Sequence, residues 1–400
     1  MDHEIKKISI DDLTVGMFVE DVFNKDDVLL LSADSLIARE EQIENLRNQR
    51  VEKLFINIRK GRDLPQKVPE AASNETLRRE EEYYKELPKA REIQKVAVET
   101  TREALSAIRS GGTFSVSKIE QASEDIVKSL IRNPDALISL THLIKGYDEY
   151  TYTHSFSVSA LATSLAQSMG YNQDLLLEVS VGGMLHDIGK MRVPEHILNK
   201  PGKLTDEEFA IMKNHPQYGL DIINEKKGIS EVSKTVVIQH HERYNGRGYP
   251  HGLREDAITE IGLISAVADV YDALTSRRVY REAWTPQRAL ATIFQGCDLD
   301  YSSKIVHLFT RHMGIYPVGS FVRLVSGEMG VVTKADKEKL LAPTVLVLFS
   351  ASGKRLLMPA EYNLAEKQQR SDGSLYNVEL SLDPKHYNID VKEFIDVKTS

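Results

Sequence analysis

Leu175-Leu176-Leu177-Glu178-Val179-Ser180-Val181-Gly182-Gly183-Met184-Leu185-His186-Asp187-Ile188-Gly189-Lys190 is the stretch on which the reading of this chain turns. Residues 175–185 are apolar almost all round at helical spacing, the pattern of a helix buried in a core. The run then stops on an imidazole and a carboxylate. A charge at the end of a buried helix is costly unless it is paired or bound to a metal.

Other metal-capable side chains follow the same habit. His154 opens the run to Met169, whose Phe156, Val158, Leu161 and Leu165 share a rough helical face, and His215, His240-His241 and Asp269 come later. Neighbouring residues on a helix point about 100° apart, so each adjacent pair can serve two metals, or one metal with a bridging arm. Pairs of this kind, with single ligands from other helices, are how a helical bundle encloses a two-metal site. Imidazole and carboxylate together suit Mn, Fe, Zn or Ni, and the lack of thiolates argues against a structural zinc. Taken singly, each residue has a plainer reading. His154 can be a core histidine and Lys190 a C-terminal helix cap. Gly246, Gly248, Tyr249 and Pro250 can form a surface turn, and Arg277, Arg278 and Arg281 a solvated helix end.

Around this centre the chain divides into blocks, and the expected fold is multidomain. Residues 1–60 form a small α+β module, regulatory or oligomerising: Val28–Leu31 is a short apolar run, Leu36–Arg50 reads as a helix and Leu54–Ile56 as a strand. Residues 61–90 carry Pro65, Pro69 and the charge run Glu80–Glu82, and read as a solvated, helical linker. Residues 91–313 are an all-α helical bundle, the catalytic core, in which Leu175–Leu185 and Ala257–Leu274 are buried helices and Gly189 and Gly202 are stop or turn residues. Residues 314–400 form a small β-rich, barrel-like module, with runs at 321–325, 330–332, 345–349 and 355–358, and a polar tail from 365.

Composition narrows the function classes. Among 400 residues, 41% are apolar and 28% charged, as in an ordinary globular protein, and the net charge of −8 disfavours binding to polymeric nucleic acid. The single cysteine, Cys297, forms no internal disulfide and fits a reducing compartment. Residues 1–12 have no apolar signal region, and no stretch of about 18 apolar residues occurs, so no membrane span and a cytoplasmic location are expected.

The motifs resemble a known family. His186-Asp187-Ile188-Gly189-Lys190 is similar to the signature of the HD superfamily of metal-dependent phosphohydrolases. His240-His241-Glu242-Arg243-Tyr244-Asn245-Gly246-Arg247-Gly248-Tyr249-Pro250 resembles the extended motif of its HD-GYP subfamily. Lys213-Asn214-His215-Pro216 and Ala268-Asp269-Val270-Tyr271-Asp272-Ala273-Leu274-Thr275 resemble the subfamily's middle metal histidine and last metal aspartate segments. The likeness covers about residues 135–313, with four motifs in the right order. A weaker likeness relates the first 60 residues to a domain of unknown function often fused ahead of HD-GYP domains.

The resemblance implies a cyclic di-GMP phosphodiesterase of bacterial second-messenger signalling, yielding pGpG or GMP through a metal-activated hydroxide. It assigns His186, Asp187, His215, His240, His241 and Asp269 to the metals, with Asp187 bridging, and His154 to a ligand position upstream. It places Lys190 near the scissile phosphate and Arg278 and Arg281 on the second phosphate, while Tyr249 can pack or stack on a base. Two features depart from the family. Members with three metals carry a Glu one turn before the first histidine, where this chain has Tyr150, with Glu149 pointing off that face. Two divalent ions are therefore expected, Fe or Mn first, with Ni, Zn or Mg as alternatives. Asn245 stands where many members have Asp, with little expected effect. A homodimer or a signalling-protein partner is compatible with the outer modules. Competing readings are a hydrolase of a hybrid cyclic GMP-AMP dinucleotide, an HD hydrolase of nucleoside phosphates, and a degenerate HD-GYP regulator that binds ligand without turnover.

Overall fold

The computed structural model describes residues 5–23, 29–49, 51, 53–57, 60–61, 70–143, 150–276, 282–335, 339–366, 377–391 and 393–394. The chain separates into two compact units, Met1–Glu75 with Tyr316–Val397, and Thr76–Ile315.

The first unit is built from both ends of the chain. Strands β1 (Ile5–Ser9), β2 (Phe18–Phe23), β3 (Leu29–Leu36) and β4 (Lys53–Asn57) form an antiparallel sheet in the order β1-β4-β2-β3, with Ile5 opposite Asn57 and Val19 opposite Ile56. Helix α1 (Glu40–Asn48) buries Ile43 and Leu46, three residues apart and so on one face, against Val19, Val22, Leu54 and Ile56. The helix is shorter than the expected Leu36–Arg50, because Leu36 still pairs with Phe18 in β3 and the Gln42 side chain accepts the Ala38 and Arg39 N–H groups to start the helix at Glu40.

From the other end come β5 (Phe321–Leu324), β6 (Met329–Lys334), β7 (Thr344–Phe349), β8 (Arg355–Asn363) and β9 (Val378–Leu382), antiparallel in the order β8-β7-β6-β5-β9. The expected barrel is instead an open sheet, with β8 and β9 on opposite edges, and the presumed polar tail supplies an edge strand. Nor are the two end modules separate: β3 lies against β8, and the Gln42 amide donates to the Pro359 carbonyl at 3.2 Å.

The second unit is helical. Its elements are α2 (Glu70–Arg109, begun in the first unit), α3 (Val116–Arg132), α4 (Pro134–Leu143), α5 (Tyr150–Ser168), α6 (Gln173–Leu185), α7 (Glu195–Leu198), α8 (Asp206–Met212), α9 (His215–Asn224), α10 (Glu231–Gln239), α11 (Glu260–Thr275), α12 (Pro286–Gln295) and α13 (Ser303–Met313). Among the described residues, no helix is long and apolar enough to cross a membrane.

Helices α5, α6, α10 and α11 close a ring in which each packs on the next. The Gly182-Gly183 pair makes this possible on both sides of α6. A Cβ at Gly182 would lie 2.6 Å from Val236 Cβ of α10, and one at Gly183 would lie 2.5 Å from Ser159 Cα of α5. Only hydrogen at these positions lets three backbones approach so closely.

The stretch read as a solvated linker, 61–90, ends as part of this unit. In α2, Leu87 and Ala90 are buried, and buried Glu86 accepts Arg132 Nε at 2.8 Å, Arg132 Nη2 at 2.6 Å and Ser129 Oγ at 2.9 Å from α3. Burial alone would raise the Glu86 carboxyl, but these hydrogen bonds and the Arg132 charge hold it below its ordinary range. Its stabilising contribution is thus full at neutral pH and fades as pH falls below the unfolded carboxyl's value of about 4. Glu86→Ala leaves the Ser129 hydroxyl and the half-exposed Arg132 unpaired, and is expected to cost about 2 kcal/mol in urea unfolding at pH 7, with the gap from the native protein narrowing at pH 3. A passive linker predicts no change at either pH.

Candidate metal centre

The ring of helices delivers its metal-capable residues at helix ends. Helix α6 stops at Leu185, and His186 donates Nδ1–H to the Gly183 carbonyl at 2.8 Å, satisfying one of the carbonyls that a helix end leaves open. His215 repeats this with Met212 O at 2.8 Å, and His240 with Val237 O at 2.9 Å. His154, in α5, instead has Nδ1 2.8 Å from Asp272 Oδ2 of α11. In all four rings Nδ1 is engaged, which leaves Nε2 to face the centre.

The Nε2 atoms converge there in pairs, His154 with His186 at 3.3 Å and His215 with His240 at 3.2 Å. Between them stands Asp187, 1% exposed on its side chain, with Oδ2 3.3 Å from His186 Nε2 and Oδ1 3.3 Å from His215 Nε2. Asp187 Oδ1 is buried without a hydrogen-bond partner. Asp269 of α11 lies 3.1 Å from His154 Nε2 through Oδ1 and 3.6 Å from His241 Nδ1 through Oδ2. Two donor groups result, Asp187 with His215, His240 and His241, and His154 with His186 and Asp269, each with its ligand atoms within 4.8 Å of one another.

The electrostatics describe donors suited to a cation. Burial alone would raise the Asp187 and Asp269 carboxyls, yet neighbouring imidazoles, joined at Asp187 by Lys190, hold both well below the carboxylate range. His215 is pushed down by burial, and His240 and His241 further by burial and by the neighbouring imidazoles, so these three favour the neutral, ligating form. His154 is the exception: burial opposes its charge, but Asp269 and Asp272 raise it to about 9. Neutral imidazoles facing one another and a carboxylate oxygen without a donor fit a bound cation and are poorly satisfied by the protein alone.

Gly189, expected as a stop or turn residue, lies in the turn that follows the end of α6. A Cβ there would run into the His215 carbonyl and the Gly219 nitrogen, so the turn after Asp187 presses directly on the start of α9 and holds His215 against the cluster. Lys190 places Nζ 2.6 Å from Asp187 Oδ2, beside the centre. Tyr249 packs its ring on His241 at 4.7 Å between centroids, and its N–H donates to the His241 carbonyl at 3.2 Å. Arg277, Arg278, Arg281 and Glu149 lie outside the described residues, as does the Tyr150 side chain.

Two positioning residues escaped the sequence reading. Asp272 orients His154 and also accepts Ser276 Oγ at 3.0 Å; its spacing of three from Asp269 on a helix was the available signal. Buried Glu242 accepts the His251 and Leu253 N–H groups at 2.8 and 2.9 Å, folding the glycine-rich loop back beside His241. Gly248 permits that fold, because a Cβ there would meet the Glu242 Cα at 2.5 Å.

Several known proteins are similar to this chain. The family model described as "HD domain" matches residues 133–302, and "Domain of unknown function (DUF3391)" matches residues 5–119. The Pseudomonas aeruginosa protein named Cyclic di-GMP phosphodiesterase PA4108 is 35% identical over 364 residues, covering 88% of this chain and 86% of its own. The Cyclic di-GMP phosphodiesterase response regulator RpfG of Xanthomonas campestris is 38% identical over 164 residues, 41% of this chain and 43% of its own. A Vibrio cholerae protein named 3'3'-cGAMP-specific phosphodiesterase 2 is 33% identical over 179 residues, 44% of this chain and 34% of its own.

Removing the carboxylate behind a metal-facing imidazole lowers metal affinity by about 10- to 100-fold in comparable sites. Asp272→Ala is expected to show a loss of that size in metal titrations of the stripped protein. Unchanged affinity would mean that His154 is held by other contacts.

Proposed function

Because this chain belongs to the HD-GYP family of HD-domain metal-dependent phosphohydrolases, we propose that it hydrolyses cyclic di-GMP to pGpG or GMP at the cluster centred on Asp187. The observation that carries this reading is the Asp187 carboxylate, whose two oxygens address the two donor groups separately. His215, His240 and His241 would hold one divalent ion and His154, His186 and Asp269 the other, with Asp187 available to both. Iron or manganese suits this imidazole and carboxylate set. When bound, such a pair of ions lowers the pKa of water and neutralises charge on the attacked phosphate.

The chain's own residues supply the rest. The imidazole Nδ1–H bonds to backbone carbonyls hold the ligands in place before substrate arrives, so little reorganisation accompanies the reaction. Lys190 keeps an ammonium beside Asp187, where it can donate to a non-bridging phosphate oxygen as the P–O bond to the ribose breaks. Arg278 and Arg281 are proposed for the second phosphate on the strength of the family motif alone. The unit built from the chain ends is proposed as regulatory or oligomerising, since both metal-capable groups found among the described residues belong to the helical unit. A reducing cytoplasm suits the single, free Cys297.

Cyclic di-GMP is favoured over the hybrid dinucleotide because the relative matched over most of both chains carries that name. Parallel assays on cyclic di-GMP and 3'3'-cyclic GMP-AMP should show faster turnover of the first; a reversed preference overturns the substrate assignment.

Asp187→Ala should abolish hydrolysis and lower metal content, since it removes the shared ligand. Near-normal turnover in that variant would refute the metal assignment. Lys190→Ala should retain both ions while kcat falls by about 10²- to 10³-fold, the usual loss on removing one transition-state donor. Metal loss on the same scale would make Lys190 a support for Asp187 instead.

A further inference from the structure

We propose that Phe209, on α8 at the rim of the metal centre, is the wall against which a nucleobase of the cyclic dinucleotide stacks. This inference rests on the substrate reading above. Tyr249 is the aromatic residue that the motif offers for base stacking, but its ring is engaged by the protein. It packs at 35° on the ligand His241 and stands edge-on to His215 at 6.2 Å and to Phe209 at 6.3 Å. Tyr249, packed on His241, is half-buried, and a base stacks better on a ring more open to solvent.

Phe209 meets that need. It is 45% exposed, although a large apolar side chain gains free energy by burial, and it touches the same ring cluster through Tyr249. The exposure is not a failure of packing elsewhere, because α8 is firmly set by a capping box in which Thr205 and Glu208 exchange hydrogen bonds at 3.3 and 2.7 Å. One turn further, Lys213 brings Nζ to 5.4 Å from the Phe209 ring, a cation at the rim where a dinucleotide's negative charge arrives. A phosphate at Asp187 therefore has, two ring contacts away, an exposed aromatic flanked by a positive charge. That pairing of stacking surface and cation is what recognition of a nucleotide requires.

The test is steady-state hydrolysis of cyclic di-GMP by Phe209→Ala and Phe209→Trp, with metal content measured on each. Loss of one base–aromatic stack raises KM by about tenfold or more. Phe209→Ala is expected to show that rise with kcat within about twofold and metal content unchanged, and Phe209→Trp to restore KM. An unchanged KM in Phe209→Ala overturns the inference, as does a fall of kcat together with metal content, which would make Phe209 a support for α8 and His215. Native protein that leaves cyclic di-GMP intact overturns the substrate reading itself, a result distinct from either.

Discussion

The centre of this protein depends on one carboxylate placed where a carboxylate is expensive. Asp187 follows a helix whose last residues, Val179–Leu185, are all buried, is itself sealed from solvent, and has imidazoles on both sides. The cost of desolvating it is offset partly by Lys190 and by the imidazoles around it. One oxygen still has no donor. Positive charge between the two donor groups is the natural complement, and the proposed ion pair supplies it. Metal binding of this kind is also folding free energy, since the unfolded chain cannot assemble the site.

The rest of the helical unit serves this placement. The two glycines of α6 bring α5 and α10 to backbone contact, so that His154 and His240 fall within reach of His186. Gly189 seats the following turn on α9, and with it His215. The loop after His241 leaves and returns at one point, because Gln239 Oε1 accepts the Thr259 N–H at 3.0 Å and its hydroxyl at 2.9 Å. Glu242 ties down the middle of that loop. The donor residues contributed by α5, α9, α11 and the ends of α6 and α10 are thus tied to one another, as the proposed two-ion site needs if its geometry is to be ready before substrate binds.

Much of this site was legible in the chain itself. Histidines and aspartates at the ends of apolar runs are rare enough to be noticed, and His154, His186, Asp187, His215, His240, His241 and Asp269 all converge in the structure. The helices at 150–168, 173–185 and 260–275 follow from their apolar runs. What was missed has physical reasons. Asp272 and Glu242 act through other residues, and beyond the spacing of Asp272 from Asp269 their neighbourhoods do not name a partner far away in sequence. Val378, Leu380 and Leu382 alternate with Glu379 and Ser381, a period-two signal hidden by polar flanks. The joining of the chain ends rests on contacts such as Gln42 with Pro359, about which local patterning says nothing. The 61–90 stretch misled because Leu87 and Ala90 enter the core beside exposed Glu81, Glu82 and Lys85, and because the Glu86 charge is itself buried against Arg132.

The central claim is that two ions shared by Asp187 are needed for hydrolysis. Its most direct test is stepwise metal loading of chelator-stripped protein under anaerobic conditions, with bound metal and cyclic di-GMP turnover measured on the same samples. The account predicts that turnover stays low through the first equivalent per chain, rises with the second, and gains nothing from a third. Full turnover in stripped protein, or a plateau reached at one equivalent, would contradict it.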